Sequence, residues 1–103
     1  KSYIFAFDWF EIELTQGMAI LTGFRLKRSH KYIMKRYKII CTDDSTKPHE
    51  LWTTLIEVNK IQIFDIYEFQ NPSHPAKFVR MIPSDNENDQ LEFVHFELFG
   101  KYF

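Results

Sequence analysis

The sequence predicts an all-β fold of antiparallel strands packed as a sandwich or barrel. Three observations point there. Apolar residues alternate with a period of two along most of the chain, turn-forming clusters interrupt that alternation, and no stretch sustains the 3.6-residue repeat of an amphipathic helix.

The elements follow in order. From Trp9 to Leu14, Phe10, Ile12 and Leu14 share one face while Glu11 and Glu13 take the other. From Ala19 to Lys27, Ile20, Thr22, Phe24 and Leu26 are expected to oppose Leu21, Gly23, Arg25 and Lys27. From Met34 to Thr42, Tyr37, Ile39 and Cys41 oppose Arg36, Lys38 and Ile40. Trp52 to Val58 and Ile61 to Phe69 are rich in β-branched and aromatic residues, which suit a pleated, half-buried surface. Lys77 to Ile82 and Leu91 to Phe99 complete the set, the last with Val94, Phe96 and Leu98 turned inward. Thr15-Gln16-Gly17, Asp43 to His49, Asn71 to Pro75 and Pro83 to Asp89 supply the turns. No capping box precedes a helical repeat, and internal repeats and low-complexity segments are absent.

A length of 103 residues predicts one domain, 1–103, with room for a single modest core. Apolar residues make up 45% of the chain and eleven are Phe, which is enough buried area to order it. The formal charge of −1 excludes a global pull towards nucleic acid or anionic membranes, so any such attraction must be local. Charges interrupt every apolar run well short of membrane-spanning length. Cys41 is the sole cysteine, so no internal disulfide forms, and Pro72 blocks the sequon at Asn71. These features favour a reducing compartment, and a cytoplasmic location is expected. The sequence opens on Lys1 with no signal peptide in view, as a piece of a longer protein would, which leaves an extracellular location open.

Several motifs, in order, carry a resemblance. Trp9-Phe10-Glu11-Ile12-Glu13-Leu14 is similar to the Trp–aliphatic–Glu–aliphatic–acid–hydrophobic strand of discoidin domains, also called coagulation-factor type C domains. Ala19 to Arg28, Lys35 to Cys41 and a polar hairpin leading to Trp52 follow in the family's order. Ala76-Lys77-Phe78-Val79-Arg80-Met81-Ile82-Pro83 and Phe96-Glu97-Leu98-Phe99-Gly100 resemble its closing strands. The resemblance implies a jelly-roll β-sandwich of the galactose-binding-like type and a role in binding rather than catalysis. Where many extracellular members have a terminal cysteine, this chain has Lys101, as in the disulfide-free intracellular and microbial branches. The family's first strands and two ligand-facing loops have no counterpart before Trp9, beyond Tyr3 to Phe7 as one shortened strand.

Strand parity locates a candidate site. Antiparallel neighbours send alternate connections to opposite ends. The family's termini lie away from its ligand loops, which puts Arg28 to Ile33 and Pro83 to Gln90 together on the opposite rim. The ligand-binding residues expected there are Arg28, Ser29, His30, Lys31, Tyr32, Asn86 and Asn88, with Tyr32 the candidate stacking side chain. Arg25, Lys27, Arg28, Lys31, Lys35, Arg36 and Lys38 hold seven of the thirteen basic residues with no acid between them. The plainer reading is a solvated hairpin face that discourages edge pairing; the sharper one is a surface for anionic headgroups, acidic glycans or acidic protein segments. Asp85, Glu87 and Asp89 either offset that field or clamp the basic loop.

Other chemistries fare worse. The four His residues lack ligand spacing, so no zinc site is expected. Asp85 to Asp89 offers oxygen donors for calcium but lacks the EF-hand glycine and terminal glutamate, and reads first as a polar turn. No Gly-rich loop, nucleophile elbow or paired-carboxylate arrangement appears; Cys41 reads as a small core residue, and no cofactor is expected. His95 is expected to face solvent or a cross-strand neighbour. No stacking platform for nucleic acid is patterned. Trp52 is expected to cap the sandwich at the end away from the rim. The resulting expectation is a non-enzymatic module that docks a protein partner within a larger protein or assembly, the alternative being a carbohydrate- or phospholipid-headgroup-binding module that uses the basic loop.

Overall fold

A computed structural model describes residues 5–7, 10–28, 36–59, 64–83 and 91–102. Its strands are β1 (Phe5–Phe7), β2 (Phe10–Glu13), β3 (Ala19–Arg28), β4 (Tyr37–Thr42), β5 (Thr53–Val58), β6 (Phe64–Glu68), β7 (Phe78–Pro83) and β8 (Leu91–Tyr102), with one 3-10 turn at His49–Leu51. They form two four-stranded antiparallel sheets. Sheet A has the order β1-β8-β3-β6 and sheet B the order β2-β7-β4-β5. Of the consecutive strands, only β4 and β5 share a sheet; every other connection crosses between the layers. The all-β antiparallel sandwich is therefore as expected. β1 corresponds to the shortened strand expected within Tyr3 to Phe7; Trp9, Met34 and 61–63 lie outside the described residues.

The core lies between the sheets. Ala19, Leu21, Phe24 and Leu26 of sheet A meet Tyr37, Ile39, Cys41, Val58, Val79 and Met81 of sheet B, and Phe96 and Leu98 pack against them. Phe24 is the hub. Its ring stacks on Tyr67 at 5.5 Å and on Phe69 and Phe96 at 6.0 Å, and meets Tyr37 edge-on at 6.2 Å. Such offset and edge contacts add to the burial of apolar area.

One expectation is corrected. Along β3 the inward set is Ala19 and Leu21, then Phe24 and Leu26, so the alternation changes phase in mid-strand. The register against β8 shows why: Leu21 faces Gly100 and Gly23 faces Phe99, which leaves Thr22 as an inserted residue. This is a β-bulge, in which two residues on one strand oppose one on its partner. Ile20 and Thr22 therefore point away from the core, while Phe24 and Leu26 fill it. Gly23 and Gly100 allow the close backbone approach around this bulge. A β-carbon on Gly23 would lie 2.4 Å from the Tyr67 carbonyl oxygen, and one on Gly100 would lie 2.4 Å from the Ile20 carbonyl oxygen. The closing Phe-Glu-Leu-Phe-Gly pattern thus ends in glycine because the bulged neighbour leaves no room for a side chain.

Candidate binding surfaces

One end of the sandwich collects the crossings that matter for the expected rim. Arg28 pairs with Phe93, Lys27 with Phe64, Tyr37 with both Pro83 and Val58, and Phe7 with Leu91. The strands that bound 29–36 and 84–90 thus meet at the same end, as strand parity requires. Of the expected ligand residues, Arg28 is described only as the last residue of β3. Ser29, His30, Lys31, Tyr32, Asn86 and Asn88 lie outside the described residues, as do Asp85, Glu87 and Asp89.

The core beneath that end holds a pair that the period-two reading passed over. The Tyr37 hydroxyl donates to Asp65 Oδ2 at 2.7 Å, and both residues are fully buried. Tyr37 begins β4 in sheet B and Asp65 lies in β6 of sheet A, so the bond spans the layers. A buried carboxylate requires such donors, because desolvation without them is costly. The signal was present as an acid on the same face as Tyr67 and Phe69.

A second cluster covers the outer face of sheet B. With Val79 and Met81 in the core, alternation turns Arg80 outward. Arg80 Nε donates to Glu11 Oε1 at 2.8 Å, its guanidinium carbon sits 4.4 Å from the Trp52 ring centroid, and Nη1 lies 2.6 Å from His49 Nε2. His49 meets Trp52 edge-on at 5.6 Å, and Trp52 Nε1 donates to the Lys47 carbonyl at 2.7 Å. Trp52 lies at the end away from the rim, as expected, but it is buried over Arg80 on the outside of the sheet rather than in the core between the layers. Glu11, on the face of β2 opposite Ile12, holds Arg80. The cluster joins β2, β7 and the His49–Trp52 turn through cation–π and charge-assisted contacts.

Against Arg80 Nη1, His49 Nε2 must act as an acceptor. Burial lowers the His49 pKa first, and the Arg80 and Lys38 charges lower it further, against an opposing effect of Glu50. An unfolded chain takes up this proton near the ordinary value of about 6.5, before the folded one does. The stability involved is fully present above that pH and is lost as pH falls through the lowered folded value. The urea midpoint is therefore expected to fall as pH is taken below about 6.5, and His49→Gln, which keeps an acceptor for Arg80, is expected to flatten that part of the profile.

The basic stretch is less uniform in space than in sequence. Arg25 Nε donates to Glu97 Oε1 at 3.1 Å, and Arg25 Nη2 also contacts that oxygen. His95 is exposed and lies 3.1 Å from the same carboxylate, so the Glu97 pKa is lowered by its hydrogen bonds to His95 and Arg25. β8 thus supplies an acid that partly offsets the β3 charges; Lys27 and Arg36 remain exposed at the surface.

At the end away from the rim, a cavity of about 150 Å³ is lined by Cys41, Thr42, Asp43, Lys47 and His74 among others. The Cys41 thiol is buried and its pKa is pushed up to about 11 by desolvation, so it is protonated at neutral pH and a poor nucleophile. Among the described residues, no group of three or more His, Cys, Asp or Glu side chains is placed to hold a metal ion. No helix among them is long and apolar enough to cross a membrane.

An apolar surface lies on the outer face of sheet A. A groove of about 550 Å³ runs over Ile20, Thr22, Pro72, Phe99 and Lys101, with Phe99 37% exposed. Met18 and Tyr102 are also exposed nearby in sequence, at the start of β3 and the end of β8. The period-two reading assigned no role to this face, because the bulge that turns Ile20 outward was not anticipated.

This architecture is similar to that of a solved F5/8 type C domain from a Bacteroides fragilis protein. The TM-score is 0.66 at 15% sequence identity, covering all of this chain and 75% of that one. The two-sheet antiparallel sandwich described above is thus the fold of an F5/8 type C, or discoidin, domain. No protein-family model and no curated protein matches the sequence.

Proposed function

We propose that this chain is a non-catalytic binding module that docks a protein partner within a larger protein or assembly. The discoidin-like fold supports the general reading, since such domains typically bind rather than catalyse. The observation that carries the choice of partner is the apolar groove over Ile20, Pro72 and Phe99, because contiguous exposed apolar surface is the usual mark of a protein contact. The offset of Arg25 by Glu97 weighs in the same direction, since it weakens an anion-binding face. Immobilised chain is expected to retain one protein at stoichiometric level from source-cell lysate and to lose it on Phe99→Glu, with circular dichroism unchanged.

A second reading, binding of a carbohydrate or phospholipid headgroup by Arg28, Ser29, His30, Lys31, Tyr32, Asn86 and Asn88, draws support from the strand ends that meet beneath that rim. Salt-sensitive binding on glycan or lipid arrays, abolished by Lys31→Glu and indifferent to Phe99→Glu, would favour this reading over protein docking.

A further inference from the structure

The hairpin between β4 and β5, residues 43–52, is built on short-range bonds. The Asp44 amide donates to Thr42 Oγ1 at 3.2 Å and the Thr46 amide to Asp44 Oδ1 at 3.0 Å. The Leu51 and Trp52 amides donate to the Pro48 and His49 carbonyls at 2.9 and 3.0 Å. Its contacts with β7 converge on one side chain: His49 and Trp52 both rest on Arg80. Ile40 pairs with Arg80 across β4 and β7. With Ile39 and Cys41 in the core, alternation turns Ile40 to the outer face, yet it is only 1% exposed. Ile40 and Trp52 are thus both kept from water on the outside of sheet B.

The contact between His49 and Arg80 holds only while His49 is neutral. Nε2 then accepts from Nη1; once protonated it carries a hydrogen of its own, and two cations meet. Among the described residues, the surrounding charges leave that repulsion standing. Lys38 on β4 adds a further positive charge, and in register it faces Glu57 of β5. Glu11 of β2 is engaged with Arg80, and Lys47 pairs with Asp43. Glu50, next to His49 in the turn, favours protonation, but by less than burial, Arg80 and Lys38 oppose it. Asp44 is held below the ordinary carboxylate range by its bonds from Thr46, so it stays ionised where His49 titrates. The two partners also differ in freedom. Arg80 stands on β7, paired between β2 and β4 and anchored to Glu11, whereas His49 stands on a three-residue 3-10 turn.

We propose that His49 makes the 43–52 hairpin an acid-operated strap: its protonation lifts the His49–Trp52 turn off Arg80 and uncovers Trp52 and Ile40 on the outer face of sheet B. The device is independent of the protein-docking reading, and it presents a different apolar surface at acid pH. Opening takes up one proton between the ordinary His value of about 6.5 and the lowered value of the closed form. Across that window the open population grows by up to about tenfold per pH unit.

Hydrogen exchange read by NMR on the 103-residue chain, from neutral pH to about pH 5, tests this. The Trp52 indole N–H, bonded to the Lys47 carbonyl, and the Leu51 and Trp52 amides report on the strap. After correction for the intrinsic pH dependence of exchange, they are expected to lose protection by up to about tenfold per pH unit. Amides of β4 and β7, in the middle of sheet B, are expected to keep theirs. His49→Gln, which offers Arg80 an acceptor that does not titrate, is expected to hold the protection at Trp52 constant over the same range. Loss at Trp52 only in step with β4 and β7, as in global unfolding, would overturn the proposal. So would an equal loss in His49→Gln, or unchanged protection at Trp52 in the unaltered chain down to about pH 5.

Discussion

Phe24→Ala is expected to lower the free energy of unfolding by about 3–5 kcal/mol, the usual range for removing a buried aromatic ring. Phe24 has no exposed surface and touches four other rings, from β4, β6, the residue after β6, and β8. Those rings belong to both sheets and are tied into strands, so the vacated space closes poorly. Against a typical total of about 5–15 kcal/mol the variant should sit near the limit of folding at 37 °C. Chemical denaturation at lower temperature measures the loss. Phe24→Leu, which retains most of the buried volume, is expected to recover a large part of it.

Gly23→Ala is expected to cost about 3 kcal/mol, at the upper end of overpacking effects. The added methyl would meet a backbone carbonyl, that of Tyr67, and backbone cannot rotate aside as a side chain does. Relief requires β6 to move away from β3, so amide exchange at Ile66 and Glu68 should accelerate along with the fall in the urea midpoint. The adjacent Thr22 is exposed, and Thr22→Ala should change stability by no more than about 0.5 kcal/mol. A large loss at Thr22 together with a small one at Gly23 would contradict the bulge as described.

These two positions also show how far the sequence could be read. Period-two alternation located every named strand after β1, because a sandwich strand with one face buried declares itself in its pattern. It failed within β3, since a bulge inserts a residue without any distinctive residue type beyond a glycine, and glycine in a strand has several explanations. That slip hid the outward turn of Ile20 and with it the apolar face of sheet A. Cys41 was legible as a core residue, since its alternation with Ile39 and Tyr37 carries the information. The Arg80 cluster was not: the contacts of Arg80 with Glu11, His49 and Trp52 join residues far apart in sequence, and only the folded register brings them together. Asp65 was legible only as an oddity on an apolar face, because the tyrosine that binds it is 28 residues away. The expected rim follows from topology alone, and the strand ends agree with it. Its ligand residues depend on loop chemistry that strand periodicity does not address.

The crossing pattern of the strands has a consequence for synthesis on the ribosome. β8 lies between β1 and β3 in sheet A, yet it is the last of the named strands to be made. Among the described strands, until it emerges β1 has no partner in its sheet and β3 has only β6 beside it. Sheet B can assemble once β7 is complete, but the opposing layer then lacks β8 and with it Phe96 and Leu98. A nascent chain halted before β8 would therefore leave Phe24 and its neighbours without the packing of Phe96 and Leu98, an open apolar core prone to aggregation and open to chaperones. The long-range pairing of Phe5 with Phe93 also implies slow closure, because distant segments must meet before their contacts stabilise the fold.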